Sequence, residues 1–435
     1  MSDTAWTGAA VAGIAAAYAL ASRRLGGTPV TAPIVFVGFG ILIGPVGLHL
    51  VSLQQDSAQL RSLVEAALTL VLFTDATTVR PADLRSEGAL SGRLLSVGLV
   101  LTLGAGWLLA WPLLPGLGVW ELALVAAVLA PTDAALGKTA ISDSRVPSLV
   151  RQTLNVESGL NDGLVLPFFV LFLAAVPGTS YAQEGEGGTF WRALLLSPAL
   201  GLAVGGIGGK LLGWSRDHRW VTEDWRQIYV LAVAAAAYEL AVVTQGSGFI
   251  GAWVAGFAFA FTQRGGARPE HDVAHTTELA EYLGSLLAML SLLFFGAVLL
   301  GPALQHLTWR IVGYALLSLT VVRMLPVAVA LLGSGLKRPT VAYVGWFGPR
   351  GLASVVFGLL VAEEHVHGVE LISRVVAITV GLSVLLHGAS AAVLAARYGR
   401  WFERAAARTE LRESVSTLVT PRRRGPGSPE QPQGR

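Results

Sequence analysis

The chain has 435 residues, of which 53% are hydrophobic and only 14% charged, with a net charge of +3 and no cysteine. A soluble domain carries roughly 25% charged residues, so this composition, with a mean hydropathy of +0.60, describes an all-α polytopic membrane protein. The missing cysteine excludes a disulfide framework and a thiolate metal site, and the arginines, set in short segments between apolar runs, read as topology signals rather than a nucleic-acid surface.

Runs long enough to cross ~30 Å of hydrocarbon number about thirteen. In order they lie near Ala5–Leu20, Val30–Val51, Leu63–Val79, Leu94–Leu114, Val119–Ile141, Leu149–Val176, Ala193–Trp214, Ile228–Val243, Phe249–Thr262, Leu279–Leu300, Ile311–Leu332, Val341–Val361 and Val369–Ala396. The first follows the acidic Met1-Ser-Asp3 start and precedes Arg23 and Arg24, which marks it as a span rather than a cleaved signal. Alternate connections then collect the cations: Arg80, Arg85 and Arg93; Lys138, Arg145 and Arg151; Arg216, Arg219 and Arg226; Arg264 and Arg268; Lys337 and Arg338. The other set is richer in acids such as Glu184, Glu186, Glu363 and Glu364. The alternation predicts an odd number of crossings, with the N-terminus outside and the C-terminus cytoplasmic. Residues 1–396 form the membrane part; residues 397–435 are a cytoplasmic basic tail, read as an interfacial helix around Trp401 and Phe402 followed by disorder.

Two spans carry helix breakers at their centres, Ala130-Pro-Thr-Asp133 in the fifth and Gly345-Trp-Phe-Gly-Pro-Arg-Gly351 in the twelfth. They are predicted to run in opposite directions, which is the trace of two inverted repeats whose discontinuous helices cross near the midplane. The sixth run carries Asn155-Val-Glu-Ser-Gly-Leu-Asn-Asp-Gly163. Helical geometry puts Ser158 and Asp162 on one face and Glu157 and Asn161 on the adjacent stripe. At ~1.5 Å per residue, Asp133, Glu157, Arg323 and Arg350 fall roughly 12 to 14 Å deep and Asp162 nearer 20 Å.

Charges at that depth face a protein interior or a water-filled cavity. Structural roles are available to most of them: Asp133 as a half-helix cap, Arg350 as neutraliser of half-helix carbonyls, Glu157 with Arg323 as a fixed pair. Asp75 is a candidate partner for Arg350, and Glu239 a rival partner for Arg323. Asp162 is left without an equally deep arginine. A lone buried carboxylate supplied with oxygens holds a hard monovalent cation or a proton, one at a time, because burial penalises the bare charge. The Thr132 and Ser158 hydroxyls, with a carbonyl freed at Pro131, would complete the oxygen shell. The histidines mark nothing specific: His365 and His367 lie in an outer loop, His271 and His275 in an inner one, and His387 on an apolar span.

Taken together, Pro131-Thr-Asp133, Glu157-Ser-Gly-Leu-Asn-Asp162, the Arg-x-x-Pro at Arg323 and Gly348-Pro-Arg-Gly351 resemble the monovalent cation/proton antiporters, specifically the NhaP-type sodium/proton exchanger branch. The resemblance implies thirteen helices and an elevator-like movement of a core (about 94–176 and 311–396) against a dimerisation domain (about 5–79 and 228–300), joined by a linker helix at about 193–214. It implies a homodimer in a bacterial cytoplasmic membrane, no cofactor, and no partner beyond the bilayer, the cation and H+. Carried over by motif, Asp162 is the shared cation and proton carboxylate and Asn161 its neighbour. Glu157 bridges to Arg323, and Thr132, Asp133 and Ser158 help to form the site. The Asn-Asp pair implies electroneutral exchange. Pro349 in the glycine-rich motif and Thr74-Asp75 on the third span depart from the pattern.

Na+ or Li+ exchange for protons is the leading reading, with K+/H+ exchange as a variant. Readings of another class are a gated cation channel on the same polar wedge, and a membrane sensor or scaffold using the basic tail. No nucleophile and base pair, metal-binding cluster or phosphate loop suggests an enzyme.

Overall fold

Proline and glycine set the helix ends that position the site. In the computed structural model the described residues are 2–25, 28–50, 57–79, 88–133, 136–137, 140–141, 143–179, 182, 188–264, 269–364, 366–407 and 411–414. They form helices throughout, with no strand among them.

In chain order the helices are α1 (Ser2–Leu25), α2 (Ala32–Ile43) and α3 (Ser57–Thr78); then α4, which runs from Gly88–Arg93 through a π-turn at Leu94–Gly98 into Leu99–Leu113. Next come α5 (Val119–Val128), α6 (Ser148–Ala175), α7 (Arg192–Asp217), α8 (Glu223–Val243) and α9 (Gly248–Gln263). Then α10 is Pro269–Phe295, continued through a π-turn at Gly296–Leu300 to Leu304, and α11 is Trp309–Ala330 with an interruption at Thr320. The last three are α12 (Arg338–Trp346), α13 (Leu352–Glu363) and α14 (Val369–Ala406). Seven of the described helices are long and apolar enough to cross a bilayer, and four apolar ones are shorter. Two of these, α5 and α13, belong to the interrupted spans, and α9 is the short ninth run.

The second span is shorter than its apolar run: α2 stops at Ile43, where Gly44 turns to extended backbone ahead of Pro45. The long α14 extends past the apolar run to carry Trp401 and Phe402 in one continuous helix. Arg80, Arg85, Lys138, Glu184, Glu186, Arg268, His365, the side chain of His271 and the tail after Ser414 lie outside the described residues.

Two neighbourhoods of helices are evident. In one, α7 packs on α9 and α8, while α3 packs on α9 and α10 and α2 on α10. Glycines at four-residue spacing let α7 lie against α9, since a Cβ on Gly205 would sit 2.1 Å from the Ala255 carbonyl oxygen. In the other, α4 packs on α5 and α11, α5 on α6, α12 on α11, and α14 on α11 and α13. The two meet where α3 touches α6 and α13, and where α2 touches α14.

The interruptions come together. The α5 helix ends at Val128, since Pro131 cannot donate to the ladder, and α12 ends at Trp346, just before Pro349. The backbone N–H of Asp133 donates to the Pro349 carbonyl at 2.8 Å, so each unwound segment supplies what the other lacks.

Candidate functional site

Three side-chain contacts tie the crossing together. Arg350 is fully buried, and its Nη1 donates to the Ala130 carbonyl at 2.8 Å and the Pro131 carbonyl at 3.2 Å. These are carbonyls released at the end of α5, where partial negative charge gathers. Asp133 Oδ2 accepts the backbone N–H of Leu352 at 3.1 Å, so Asp133 caps α13, a half-helix of the opposite span rather than of its own. Gly351 is required beneath it, because a Cβ there would lie 2.1 Å from Asp133 Oδ2. On the far side, the Arg350 backbone N–H donates to Ser383 Oγ at 2.7 Å, with His387 Nδ1 3.2 Å beyond.

Glu157 and Arg323 face each other with side chains 4% and 5% exposed. Nη2 donates to Oε2 at 2.8 Å and Nη1 donates to Oε1, a two-pronged pairing that satisfies both forks. Arg323 lies under the second break: a Cβ on Gly348 would be 2.2 Å from its Nε. The rival pairing is not made, since Glu239 is exposed on α8.

Asp162 stands apart from these pairs. It is 6% exposed, and its Oδ1 is buried with no hydrogen-bond partner among the described residues. Its neighbours Ser158 and Asn161 reach the first break, where Ser158 Oγ donates to the Thr132 carbonyl at 2.6 Å. Asn161 Nδ2 donates to Thr132 Oγ1 at 2.5 Å, and its Oδ1 accepts the Thr132 N–H at 3.4 Å. The α6 helix is thereby laced to the unwound end of α5.

Asp162 opens on a cavity of about 290 Å³ whose walls include Asp75, Asp133, Asn155, Ser158 and Glu281, and among the described residues no lysine, arginine or histidine lines it. The sequence-predicted residues therefore divide. Asp162, Asp133 and Ser158 line the cavity; Thr132 and Asn161 brace its wall from behind; Glu157, Arg323 and Arg350 lie off it. The expected pairing of Asp75 with Arg350 is not made. Arg350 is spent on carbonyls, while Asp75 forms no ion pair among the described residues and faces the cavity from α3. Asp75 lies close to α6 there, where a Cβ on Gly159 would make ordinary contact with the Asp75 Cβ at 3.4 Å.

Glu281 and Ser285 have no role in the sequence reading, and Asn155 enters it only as the start of the polar stretch on the sixth run. A signal existed, in that Glu281 and Ser285, four apart inside a helix, share one face, as do Asn155, Ser158 and Asp162. Among the described residues no three acid or imidazole groups gather tightly enough to hold a multidentate metal ion. The site offers a hard cation one buried carboxylate with oxygens beside it, in a cavity of negative sign.

Comparison with known proteins gives a consistent result. The family model described as sodium/hydrogen exchanger, transmembrane, matches residues 9–397. The chain is 25% identical over 406 residues to Na+/H+ antiporter 2 of Zygosaccharomyces rouxii, covering 82% of this chain and 48% of that protein. It is 25% identical over 394 residues to the K+/H+ antiporter NhaP2 of a Shewanella species, covering 88% of this chain and 65% of the relative. The chain thus spans about half to two thirds of the length of these relatives. The structure of the sodium proton antiporter MjNhaP1 from Methanocaldococcus jannaschii at pH 8 superposes with a TM-score of 0.75 at 19% identity, covering 92% of this chain and 99% of that one, which establishes a shared fold.

Proposed function

This chain belongs to the sodium/hydrogen exchanger family, and from that premise we propose that it is a secondary active antiporter exchanging Na+ or Li+ for protons at Asp162. The observation that carries the reading is the buried Asp162 Oδ1, which among the described residues has no hydrogen-bond partner and lies at the wall of a cavity lined by carboxylates and by no described cationic side chain. A bare carboxylate in a low-dielectric interior is costly, and either a proton or a small cation neutralises it. The two guests compete for one group. When the neutralised forms cross between the two faces far more readily than the bare one, competition becomes exchange.

Each remaining residue has a role in this scheme. Ser158, with Asp133 and Asp75 on the same cavity, supplies further oxygens. Thr132 and Asn161 hold the wall in register, the Glu157–Arg323 pair balances two buried charges, and Arg350 neutralises the carbonyls freed at the end of α5. Asn161 adds no charge beside Asp162, which favours electroneutral, one-for-one exchange. The moving unit is about residues 94–176 and 311–396, working against about 5–79 and 228–300 in a homodimer, with 193–214 as linker. The membrane is the bacterial cytoplasmic one, N-terminus outside and C-terminus inside.

K+/H+ exchange is a second reading, favoured by the name of the Shewanella relative. Proteoliposomes with an internal acid load and a pH dye, challenged with Na+, Li+ and K+ in turn, test both. The expected result is cation-driven alkalinisation in the wild type, none in Asp162→Asn, and no net current. Alkalinisation persisting in Asp162→Asn contradicts the assignment, and current without a coupled proton makes the protein a channel.

A further inference from the structure

We propose that the groove between α11 and α12 is a binding site for an anionic phospholipid, a site that does not rest on the ion assigned to Asp162. The groove encloses about 720 Å³ and is lined, among the described residues, almost wholly by apolar side chains such as Val321, Leu325, Leu332 and Val341, together with the cationic Arg338. Val321, Leu325 and Leu332 are 51%, 58% and 70% exposed, so the groove opens outward along α11. From Val321 to Leu332 it runs roughly 16 Å at the helical rise, about one leaflet of a ~30 Å hydrocarbon core. That length suits an acyl chain.

The charge at one end selects the headgroup. The connection from Leu332 to Arg338 gathers four cations: Lys337 and Arg338 within it, Arg93, whose Nη1 donates to the Leu332 carbonyl at 3.0 Å, and Arg412, whose guanidinium donates to the Ser334 carbonyl. Arg338 is exposed and makes no hydrogen bond or ion pair among the described residues. Glu413, an acid beside this connection, is turned away: it is 1% exposed, its Oε1 accepting the Lys337 N–H at 2.9 Å and the Thr340 hydroxyl at 2.7 Å. Glu413 caps the start of α12 from the tail, while Lys337 and Arg338 are exposed. An apolar slot one leaflet long, ending at the exposed Arg338 guanidinium and Lys337 ammonium groups, matches a lipid with an anionic phosphate headgroup. Because α11 carries Arg323 and α12 leads into the second break, an occupant would steady both.

Native mass spectrometry of the delipidated full chain tests this, with phosphatidylglycerol and phosphatidylcholine of identical acyl chains and inorganic phosphate as probes. We expect phosphatidylglycerol to be retained in preference to phosphatidylcholine. Arg338→Gln should cut that preference about fivefold, the weight of one basic residue on an anionic surface. Ala342→Trp, at an exposed groove position, should reduce retention of both lipids. Equal retention of the two lipids by the wild type, an unchanged preference in Arg338→Gln, or displacement of phosphatidylglycerol by inorganic phosphate would each overturn the proposal.

Discussion

Asn161 holds Thr132 at two points, its Nδ2 donating to the hydroxyl at 2.5 Å and its Oδ1 accepting the backbone N–H at 3.4 Å. The α6 side chain next to Asp162 is therefore committed to the broken end of α5. We predict that Asn161→Ala, which leaves a buried N–H and hydroxyl unpaired at ~1–3 kcal/mol of cost, raises the cation concentration for half-maximal exchange while the protein still reaches the membrane. Exchange at the wild-type concentration dependence would show the brace to be dispensable.

The Glu157–Arg323 pair makes a second, sharper case. Removing one partner strands the other charge, at ~3–5 kcal/mol, whereas replacing both with apolar groups of similar volume is often neutral. Glu157→Ala and Arg323→Ala should each lower the melting temperature in detergent, and Glu157→Leu with Arg323→Met should recover most of it. Wild-type melting in both single variants would mean that the pair carries no stability.

Asp133 and Gly351 test the crossing itself. Asp133→Asn keeps an oxygen for the Leu352 N–H and should fold normally, while Asp133→Ala loses the cap, at ~0.5–2 kcal/mol. Gly351→Ala has no room, with its Cβ 2.1 Å from Asp133 Oδ2. Thermal unfolding should therefore rank Asp133→Asn above both others. An unperturbed Gly351→Ala would refute the close approach.

Gly163, the residue after Asp162, lies against α9, where a Cβ would come within 2.2 Å of the Trp253 ring. We predict that Gly163→Ala slows exchange and that adding Trp253→Ala restores it, a coupling that a double-mutant cycle of transport rates measures. Additive losses would place the effect elsewhere than this contact.

Much of this architecture was legible because membranes restrict the choices. Pro131 and Pro349 announced the interruptions, and unwound backbone at depth has to be satisfied by protein, here by the opposite break. The Glu157–Arg323 contact followed from opposite charges at equal depth. Depth, however, says nothing of azimuth. Asp75 and Arg350 were matched by sign alone, yet α3 turns Asp75 to the cavity while Arg350 finds the α5 carbonyls. Asp133 was read as a cap, but which half-helix it caps depends on the crossing. Glu281 escaped notice because no motif surrounds it, and only the packing of α10 on α3 brings it to Asp162's cavity.

Competition between cation and proton at Asp162 is tested most directly by counting protons released as Na+ is titrated into purified protein in weakly buffered detergent solution. The account predicts a proton released for each ion bound in the wild type and neither event in Asp162→Asn. Sodium binding without proton release, or release that survives in Asp162→Asn, would contradict it.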